Sequence, residues 1–394
     1  MMIINRKIIM ARRCSCNGGV LLRTGVCVML VAVLAFCGFI LPAPAGDAAE
    51  VHAAAGATTP EAAFDYIISD GAHEGYPVPG VYIKCIKKKS SKNIVVPATL
   101  GGEPVVSIRL RHEKLNSLDV SACSELYYLN CAGNNFKSLD LSVNNKLKKL
   151  DCSNNRIGKI DVSTLCELEQ IHCYNNEIKR LDVTGLEKLK VLNCHDNKIE
   201  KLDVPMPVEL ERIYCQNNKI KTLDVSGFRK LKELYCYDNK IKELNVSGLE
   251  KLKVLYCFIN KIKSLNADNL VGLTELSCEY NEISKLNVSN NKELKRLFCG
   301  NNKLKVLDVT KNKDLKKLSC KNNKLKELNV TKNKDLEELS SEKNKIKDLD
   351  VSKNRHLYAL SVDMRLTKKH LNPILRKEVP TKCEDYWYYD AYPC

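Results

Sequence analysis

The stretch "LKELYCYDNKIKELNVSGLEK", residues 231–251, is followed without a gap by a near copy, "LKVLYCFINKIKSLNADNLVG", residues 252–272. The leucine that opens the stretch recurs with a step of 21 residues and no insertion, at Leu126, Leu147, Leu168, Leu189, Leu210, Leu231, Leu252, Leu273, Leu294, Leu315, Leu336 and Leu357. A degenerate copy begins at Val105, so twelve units cover residues 105–356 and a truncated thirteenth follows. Because one short unit cannot bury its own apolar face, this period predicts a stacked solenoid.

Each unit contains a short alternating segment that is typical of a β-strand. Leu234 and Cys236 are two residues apart and share one face of that strand, whereas Tyr235 and Tyr237 take the other face. Stacked strands lie about 4.8 Å apart, so twelve units would span about 55 Å. With 21 residues per turn there is little room for a helix on the far side. We expect extended or 3₁₀ segments there.

The motif between the leucines is L-x-x-L-x-C-x-x-N-x-I-x-x-L-D-V-S, as in "LYCYDNKIKEL" and "LSCKNNKLKEL". It resembles the leucine-rich repeat in its short bacterial form, and most closely the internalin type with a cysteine column. The opening segment "IVVPATLGGEPVVSI", residues 94–108, is similar to that of BspA-like leucine-rich surface proteins. The resemblance implies a right-handed leucine-rich repeat solenoid with a parallel concave sheet and little true helix. It also implies a binding scaffold, without naming the partner.

The predicted domains are a signal peptide at residues 1–45, a flexible leader at 46–63, an N-terminal β-cap at 64–104, the repeats at 105–356 and a C-terminal cap or tail at 357–394. The signal peptide is indicated by basic residues before an uncharged run at residues 25–41 and by the small residues Ala43-Pro44-Ala45. A retained membrane anchor is the alternative, since the run is long enough to span a bilayer. We expect an extracellular protein, free or surface-associated, with no stable membrane span after cleavage.

The chain of 394 residues has a formal charge of +16 and 19 cysteines. Ten of these form one column, at Cys131, Cys152, Cys173, Cys194, Cys215, Cys236, Cys257, Cys278, Cys299 and Cys320, which ends at Ser341. Disulfides or a metal wire are one interpretation of this column. We favour buried free thiols, because every internal cysteine has equivalent neighbours above and below. No metal or other cofactor is expected, and Cys383 and Cys394 are predicted to form a terminal disulfide.

A column of asparagines, Asn134 to Asn344, is predicted to hydrogen-bond loop backbone of its own coil and the next coil. Short polar residues at the convex turn, such as Asp224 and Asn245, are predicted to bond nearby backbone. We find no phosphate-binding loop, nucleophile elbow or metal-ligand spacing, so the sequence does not predict an enzyme.

The outward strand positions vary between units, and aromatic side chains concentrate there in the middle coils. This predicted protein-binding site comprises Tyr174, Tyr214, Tyr235, Tyr237, Tyr256, Phe258 and Phe298, with His172 and His195 at one margin. Contiguous exposed apolar surface usually marks an interaction site, so we expect a protein partner on a host or neighbouring cell surface. The alternative is cross-strand stacking that only stabilises the sheet.

Lysines flank the recurring isoleucine or leucine and would stack about 5 Å apart. They are Lys219, Lys221, Lys240, Lys242, Lys261, Lys263, Lys303, Lys305, Lys324 and Lys326, with a further pair at Lys345 and Lys347. A solvated flank that resists aggregation is one interpretation. The other is a track for a polyanion such as an acidic glycan or teichoic acid. Because secretion is expected, nucleic acid is not.

Overall fold

The computed structural model describes residues 58–72, 75–87, 91–204 and 209–363. The predicted signal peptide and the predicted Cys383–Cys394 disulfide lie outside these residues. One 3₁₀ segment, Glu61–Ala63, precedes 24 strands, and the described residues contain no α-helix. The predicted extended convex side is therefore confirmed, whereas the 3₁₀ segment directly precedes the first strand, within the residues that we assigned to the leader.

The first strands build the cap and the first repeat. They are β1 (Phe64–Ser69), β2 (Gly80–Ile86), β3 (Asn93–Val95), β4 (Thr99–Leu100), β5 (Glu103–Arg109) and β6 (Ser117–Asp119). β1 and β2 are antiparallel, and β2 then pairs parallel to β5, the strand of the first repeat. Thr59, within the segment that we assigned to the leader, donates its backbone N–H to the carbonyl of Val95 at 3.1 Å. The cap therefore joins the repeat sheet directly.

The other concave strands follow at steps of 21 residues. They are β7 (Tyr128–Asn130), β8 (Lys149–Asp151), β9 (Gln170–His172), β11 (Val191–Asn193), β13 (Arg212–Tyr214), β15 (Glu233–Tyr235), β17 (Val254–Tyr256), β19 (Glu275–Ser277), β21 (Arg296–Phe298), β22 (Lys317–Ser319), β23 (Glu338–Ser340) and β24 (Ala359–Ser361). All pair in parallel in one 16-stranded sheet that also contains β1, β2, β4 and β5. Residues 21 apart are direct neighbours, as Leu234 is of Leu255.

The convex side consists of extended chain with short paired strands. These are β10 (Arg180–Asp182) with β12 (Lys201–Asp203), β14 (Thr222–Asp224) with β16 (Glu243–Asn245), and β18 (Leu265–Asn266) with β20 (Leu286–Asn287). The predicted turn bonds are present beside them. The Ser226 backbone N–H donates to Asp224 Oδ1 at 2.9 Å, and that of Ser247 donates to Asn245 Oδ1 at 3.2 Å.

The asparagine column ties each coil to the one before it. Asn239 Nδ2 donates to the carbonyls of Cys236 and Tyr237 in its own coil, both at 3.2 Å, and to that of Cys215 at 3.0 Å. Its Oδ1 accepts the backbone N–H of Ile220 at 2.9 Å. The intercoil link thus runs to the preceding coil, not to the next one as we predicted. Each internal cysteine carbonyl accepts from two asparagines, as Cys215 does from Asn218 and Asn239.

A second set of buried asparagines was not predicted. Its members, Asn144, Asn291, Asn312, Asn333 and Asn354, are fully buried at a turn position that Leu165, Leu186, Phe228, Leu249 and Leu270 occupy in other coils. Asn312 Nδ2 donates to the carbonyls of Val288 and Asn291 at 2.8 Å. Each of these asparagines stands three positions before the opening leucine of a unit, and this recurrence was the one feature of the sequence that could have predicted them.

The cysteine column forms a ladder inside the core. All ten cysteines are fully buried and free. Burial raises the pKa of each thiol, to about 12 at Cys215 and Cys257. Ser341, which ends the column, is 2% exposed, and its Oγ has no hydrogen-bond partner within the described chain. The column therefore favours a side chain with little need for hydrogen bonds.

Asn239→Ala should destabilise the solenoid by about 3 kcal/mol, because it leaves buried carbonyls and one N–H without their partner. Urea unfolding followed by circular dichroism measures this change. The matched control is Asn245→Ala, an exposed turn asparagine, for which we expect a loss below about 1 kcal/mol. Equal losses in the two variants would contradict the role of the buried column.

Stability should fall steeply between about pH 8.5 and pH 10. Unfolded thiols have a pKa of about 8.5 and ionise in this range, whereas the buried thiols keep their protons. Since the folded pKa is raised, the stabilisation is complete below the unfolded pKa and is lost as pH rises. Once the thiols of the unfolded chain are ionised, ten of them would lower the free energy of unfolding by about 14 kcal/mol for each pH unit.

The measurement is the urea midpoint across this pH range, for the wild type and for a variant in which Cys215, Cys236 and Cys257 are alanine. The slope of the variant should be smaller by about three tenths, because three of ten titrating groups are gone. Rapid reaction of the ladder thiols with Ellman's reagent in the folded protein would show that the column is not protected.

Candidate functional site

Three adjacent strands place tyrosines side by side on the concave face. In the sheet Tyr214 on β13 pairs with Tyr235 on β15, which pairs with Tyr256 on β17. The strands are three residues long, because the chain turns sharply after each cysteine-containing segment. Asp238, three residues after Tyr235, has φ 49°. Tyr237, which precedes this turn, reaches the row of tyrosines through Phe258, whose ring contacts both Tyr237 and Tyr256.

Five of the predicted rings form one cluster, which we call the aromatic cluster: Tyr214, Tyr235, Tyr237, Tyr256 and Phe258. The ring centroids of Tyr235 lie 5.1 Å from Tyr214 and 4.8 Å from Tyr256. Tyr237 and Phe258 stack with centroids 4.2 Å apart and planes 7° from parallel. The ring centroids of Tyr256 and Phe258 lie 6.4 Å apart, so the row of three tyrosines is joined to this stacked pair. The separations that involve Tyr214, Tyr235 and Tyr256 are in the range of favourable aromatic pairs, and the stacked pair is slightly closer.

The aromatic cluster is less exposed than the sequence predicted. Tyr237 is only 4% exposed, and the other four rings are half-buried. The rings cover one another because neighbouring strands are only one sheet spacing apart, so cross-strand partners come into contact. The cluster therefore combines ring packing with a half-open surface, and its use as a binding site stays a prediction.

Two glutamates that the sequence analysis missed hold the tyrosine hydroxyls. Tyr214 donates its hydroxyl to Glu233 Oε2 at 2.5 Å, and Tyr256 donates to Glu275 Oε2 at 2.7 Å. Burial, followed by these hydrogen bonds, raises the pKa of both phenols, and burial raises that of Tyr235 to about 12. Glu233 and Glu275 stand two residues before the outward position of their strands. The alternation of side chains along a strand places them on the concave face, and this was the feature of the sequence that could have predicted the contacts.

The remaining predicted residues lie apart from the aromatic cluster. Tyr174 and His195 stack at 4.5 Å, and His195 Nδ1 lies 2.5 Å from Asp196 Oδ2, a contact that lowers the pKa of Asp196. His172 is half-buried, and burial lowers its pKa. Asn193 stands between His172 and Tyr214 in the sheet, as Ser277 stands between Tyr256 and Phe298. The predicted site thus divides into the aromatic cluster, a group at Tyr174 and the two histidines, and the separate ring of Phe298.

The lysines of the flank are exposed. Two of the ten form ion pairs among the residues that the structure describes: Lys221 with Glu200 at 3.8 Å and Lys303 with Glu282 at 2.8 Å. Lys303, followed by Lys263 and Lys261, lowers the pKa of Glu282. Among the six flank lysines from Lys219 to Lys263, Lys221 is therefore the one with an ion pair in the described chain, while Lys261 and Lys263 lie near Glu282.

Neither a membrane span nor a metal site is found in the residues that the structure describes. No helix there is long and apolar enough to cross a bilayer. No group of three or more histidine, cysteine, aspartate or glutamate side chains in that part of the chain is placed to hold a metal ion.

A model of leucine-rich repeats in two copies matches residues 145–183. Among solved structures, the functional domain of InlJ from Listeria monocytogenes, described as including a cysteine ladder, is similar with a TM-score of 0.59 and 31% sequence identity. The similarity covers 65% of this chain and 62% of that domain, so the chain spans less than two thirds of its length.

Two further structures share the fold. A leucine-rich repeat protein of Leptospira interrogans is 21% identical over 71% of this chain and 85% of its own, with a TM-score of 0.55. The internalin InlF of Listeria monocytogenes is 22% identical over 70% and 87%, with a TM-score of 0.50. A search of curated proteins finds no match. The predicted fold, a leucine-rich repeat solenoid with a cysteine ladder, is confirmed.

Tyr237→Ala should cost about 3 kcal/mol of unfolding free energy, because the ring is buried and stacked on Phe258. Tyr237→Phe should cost less than about 1 kcal/mol, since the ring remains. Tyr358→Ala, at a tyrosine that is 62% exposed, is the comparison for an exposed ring. A loss at Tyr237 no larger than that at Tyr358 would show that the cluster does not stabilise the sheet.

Proposed function

From this leucine-rich repeat solenoid we propose a secreted or surface-associated protein that binds a protein on a host or neighbouring cell through its concave face. The observation that carries the proposal is the aromatic cluster, five rings brought together from three coils. Other coils place Ser277, Ser319 or Ser340 at the position of Tyr235 and still form the same strand. The fold therefore does not require a tyrosine there, and aromatic residues are enriched at the energetic centres of protein interfaces.

Secretion is supported by the sequence of residues 1–45, which has the order of a signal peptide: basic residues, an uncharged run and small residues. The similarity to internalin structures supports the proposal of adhesion. A protein interface is supported by the fixed positions of Tyr214 and Tyr256, whose hydroxyls donate to glutamates. Such fixed rings lose little conformational freedom on binding.

The test is capture of solubilised cell-surface proteins by the immobilised protein, with identification by mass spectrometry. The site variant carries Tyr214→Asn, Tyr235→Ser and Tyr256→Ser, substitutions to residues that other coils use at this position. Tyr237 stays in place, because its loss would disturb the fold. The matched control is Tyr358→Ser, an exposed tyrosine of the last coil.

Recovery of the partner should fall at least tenfold with the site variant and remain unchanged with the control. Both variants should retain the wild-type circular dichroism spectrum. Equal recovery with all three proteins would refute the concave aromatic face as the binding surface.

A second candidate function is binding of a polyanion, an acidic glycan or teichoic acid, along the lysine flank. It is favoured by the exposed lysines around residues 219–263, where Lys221 is the one member with an ion pair in the described chain. Such binding depends on charge and should weaken steeply as salt is raised through the range where the Debye length falls from about 30 to 8 Å. Capture that disappears between low and physiological salt, yet survives the tyrosine substitutions, would favour this function.

A further inference from the structure

The residue two positions after each of the ten ladder cysteines, and after Ser341, has left-handed backbone. This turn column comprises Gly133, Asn154, Asn175, Asp196, Asn217, Asp238, Ile259, Tyr280, Asn301, Asn322 and Lys343, and the values of φ for its non-glycine members lie between 49° and 58°. Glycine, asparagine and aspartate tolerate this conformation, whereas a β-branched residue in it is an outlier. Ile259 (φ 51°) and Tyr280 (φ 52°) therefore depart from the residue types that the other coils use. Lys343, at the end of the array, is a third departure.

The exception at Ile259 removes a side-chain bond that other members of the column make. Elsewhere in the column, side-chain amides bond across neighbouring coils: Asn175 to Asn154 at 2.8 Å, Asn217 to Asp196 at 2.7 Å and Asn322 to Asn301 at 2.8 Å. Ile259 cannot make such a bond. Strained residues that local folding does not require tend to occur at functional sites.

Ile259 and Tyr280 are also among the exposed large apolar residues of the described chain, at 40% and 43% exposure. They occupy equivalent positions in successive coils, where Asn260 donates its backbone N–H to the carbonyl of Tyr280 at 3.2 Å. Ile259 directly follows Phe258, whose ring stacks on Tyr237. The two residues thus add exposed apolar surface next to the half-buried rings, in the turns that follow strands β17 and β19.

On the far side of these residues the lysine flank begins. Lys240 and Lys261 stand two residues after Asp238 and Ile259, and Lys242 and Lys263 follow after the buried isoleucines. All four are exposed, and none forms an ion pair with the residues that the structure describes. Glu282 follows Tyr280 by two residues and, besides its partner Lys303, is near enough to Lys263 and Lys261 for them to lower its pKa. The exposed apolar side chains therefore stand in the chain between the aromatic cluster and lysines whose positive charge is only partly offset.

We propose that Ile259 and Tyr280 anchor an acidic segment of the partner protein, whose large apolar side chains contact these two residues while its carboxylates face Lys240, Lys261 and Lys263. This inference rests on the proposed function and specifies the chemistry of its partner. Charge complementarity of this kind selects the partner and speeds its association, whereas the apolar anchors supply affinity. The two surfaces that the sequence suggested separately then act as one site.

The test uses peptides selected from a phage-displayed library of random 12-residue sequences against the folded wild-type protein. Their dissociation constants are then measured for wild type and four variants. Ile259→Asn/Tyr280→Asn removes the anchors and introduces the residue that the turn itself favours, so its melting temperature should equal or exceed that of wild type. Lys240→Gln/Lys261→Gln/Lys263→Gln removes the charges. Tyr235→Ser alters the aromatic cluster, and Val271→Asn, at an apolar residue that is 52% exposed elsewhere, is the control.

The selected peptides should be enriched in aspartate or glutamate beside large apolar residues. They should lose at least tenfold affinity for the anchor variant and several-fold for the lysine variant, with no change for Val271→Asn. Peptides without acidic residues, peptides that bind the anchor variant as well as wild type, or failure to select any peptide would overturn the inference. If binding is lost only with Tyr235→Ser, the concave face remains the binding site and the anchoring role of Ile259 and Tyr280 is wrong. If no variant affects binding, both proposals fail.

Discussion

The structure depends on the hydrogen bonds that each buried asparagine side chain makes between successive coils. A turn that follows a three-residue strand leaves backbone carbonyls and N–H groups without ladder partners inside the protein, and buried groups of this kind must be paired. The amide of Asn239 bonds to both coils at once: to the carbonyls of Cys236 and Tyr237 in its own coil, and to the carbonyl of Cys215 and the N–H of Ile220 in the preceding coil. Because the same residue does this in each of eleven coils, the stacking distance and the register are the same throughout the described repeats.

This regularity determines where the cysteines and aromatic rings lie. Residues 21 apart become direct neighbours, so ten cysteines form one buried ladder and Tyr214, Tyr235 and Tyr256 form one row. Core positions are restricted by packing against identical neighbours, whereas outward positions are free to vary. The repeat therefore separates residues that serve the fold from residues available for binding, since a substitution at Tyr235 leaves the asparagine bonds intact.

The sequence was sufficient to predict the solenoid, the strand positions and the two columns of cysteine and asparagine, because each follows from the period alone. It was not sufficient to predict how much the aromatic rings cover one another, since the stacking of Tyr237 on Phe258 depends on rotamers. It also did not reveal Glu233 and Glu275 as partners of the tyrosines, or Ile259 and Tyr280 as exceptions in the turn column. Those exceptions become visible only when the backbone conformation of each coil is known.

We propose that function resides where coils depart from the pattern that folding requires. The most direct test is hydrogen–deuterium exchange of the folded protein with and without its captured partner. Protection on binding should concentrate in the concave strands and turns of the coils between about residues 212 and 282, which contain the aromatic cluster, Ile259 and Tyr280. Protection confined to the convex strands, or spread evenly over all coils, would contradict the account.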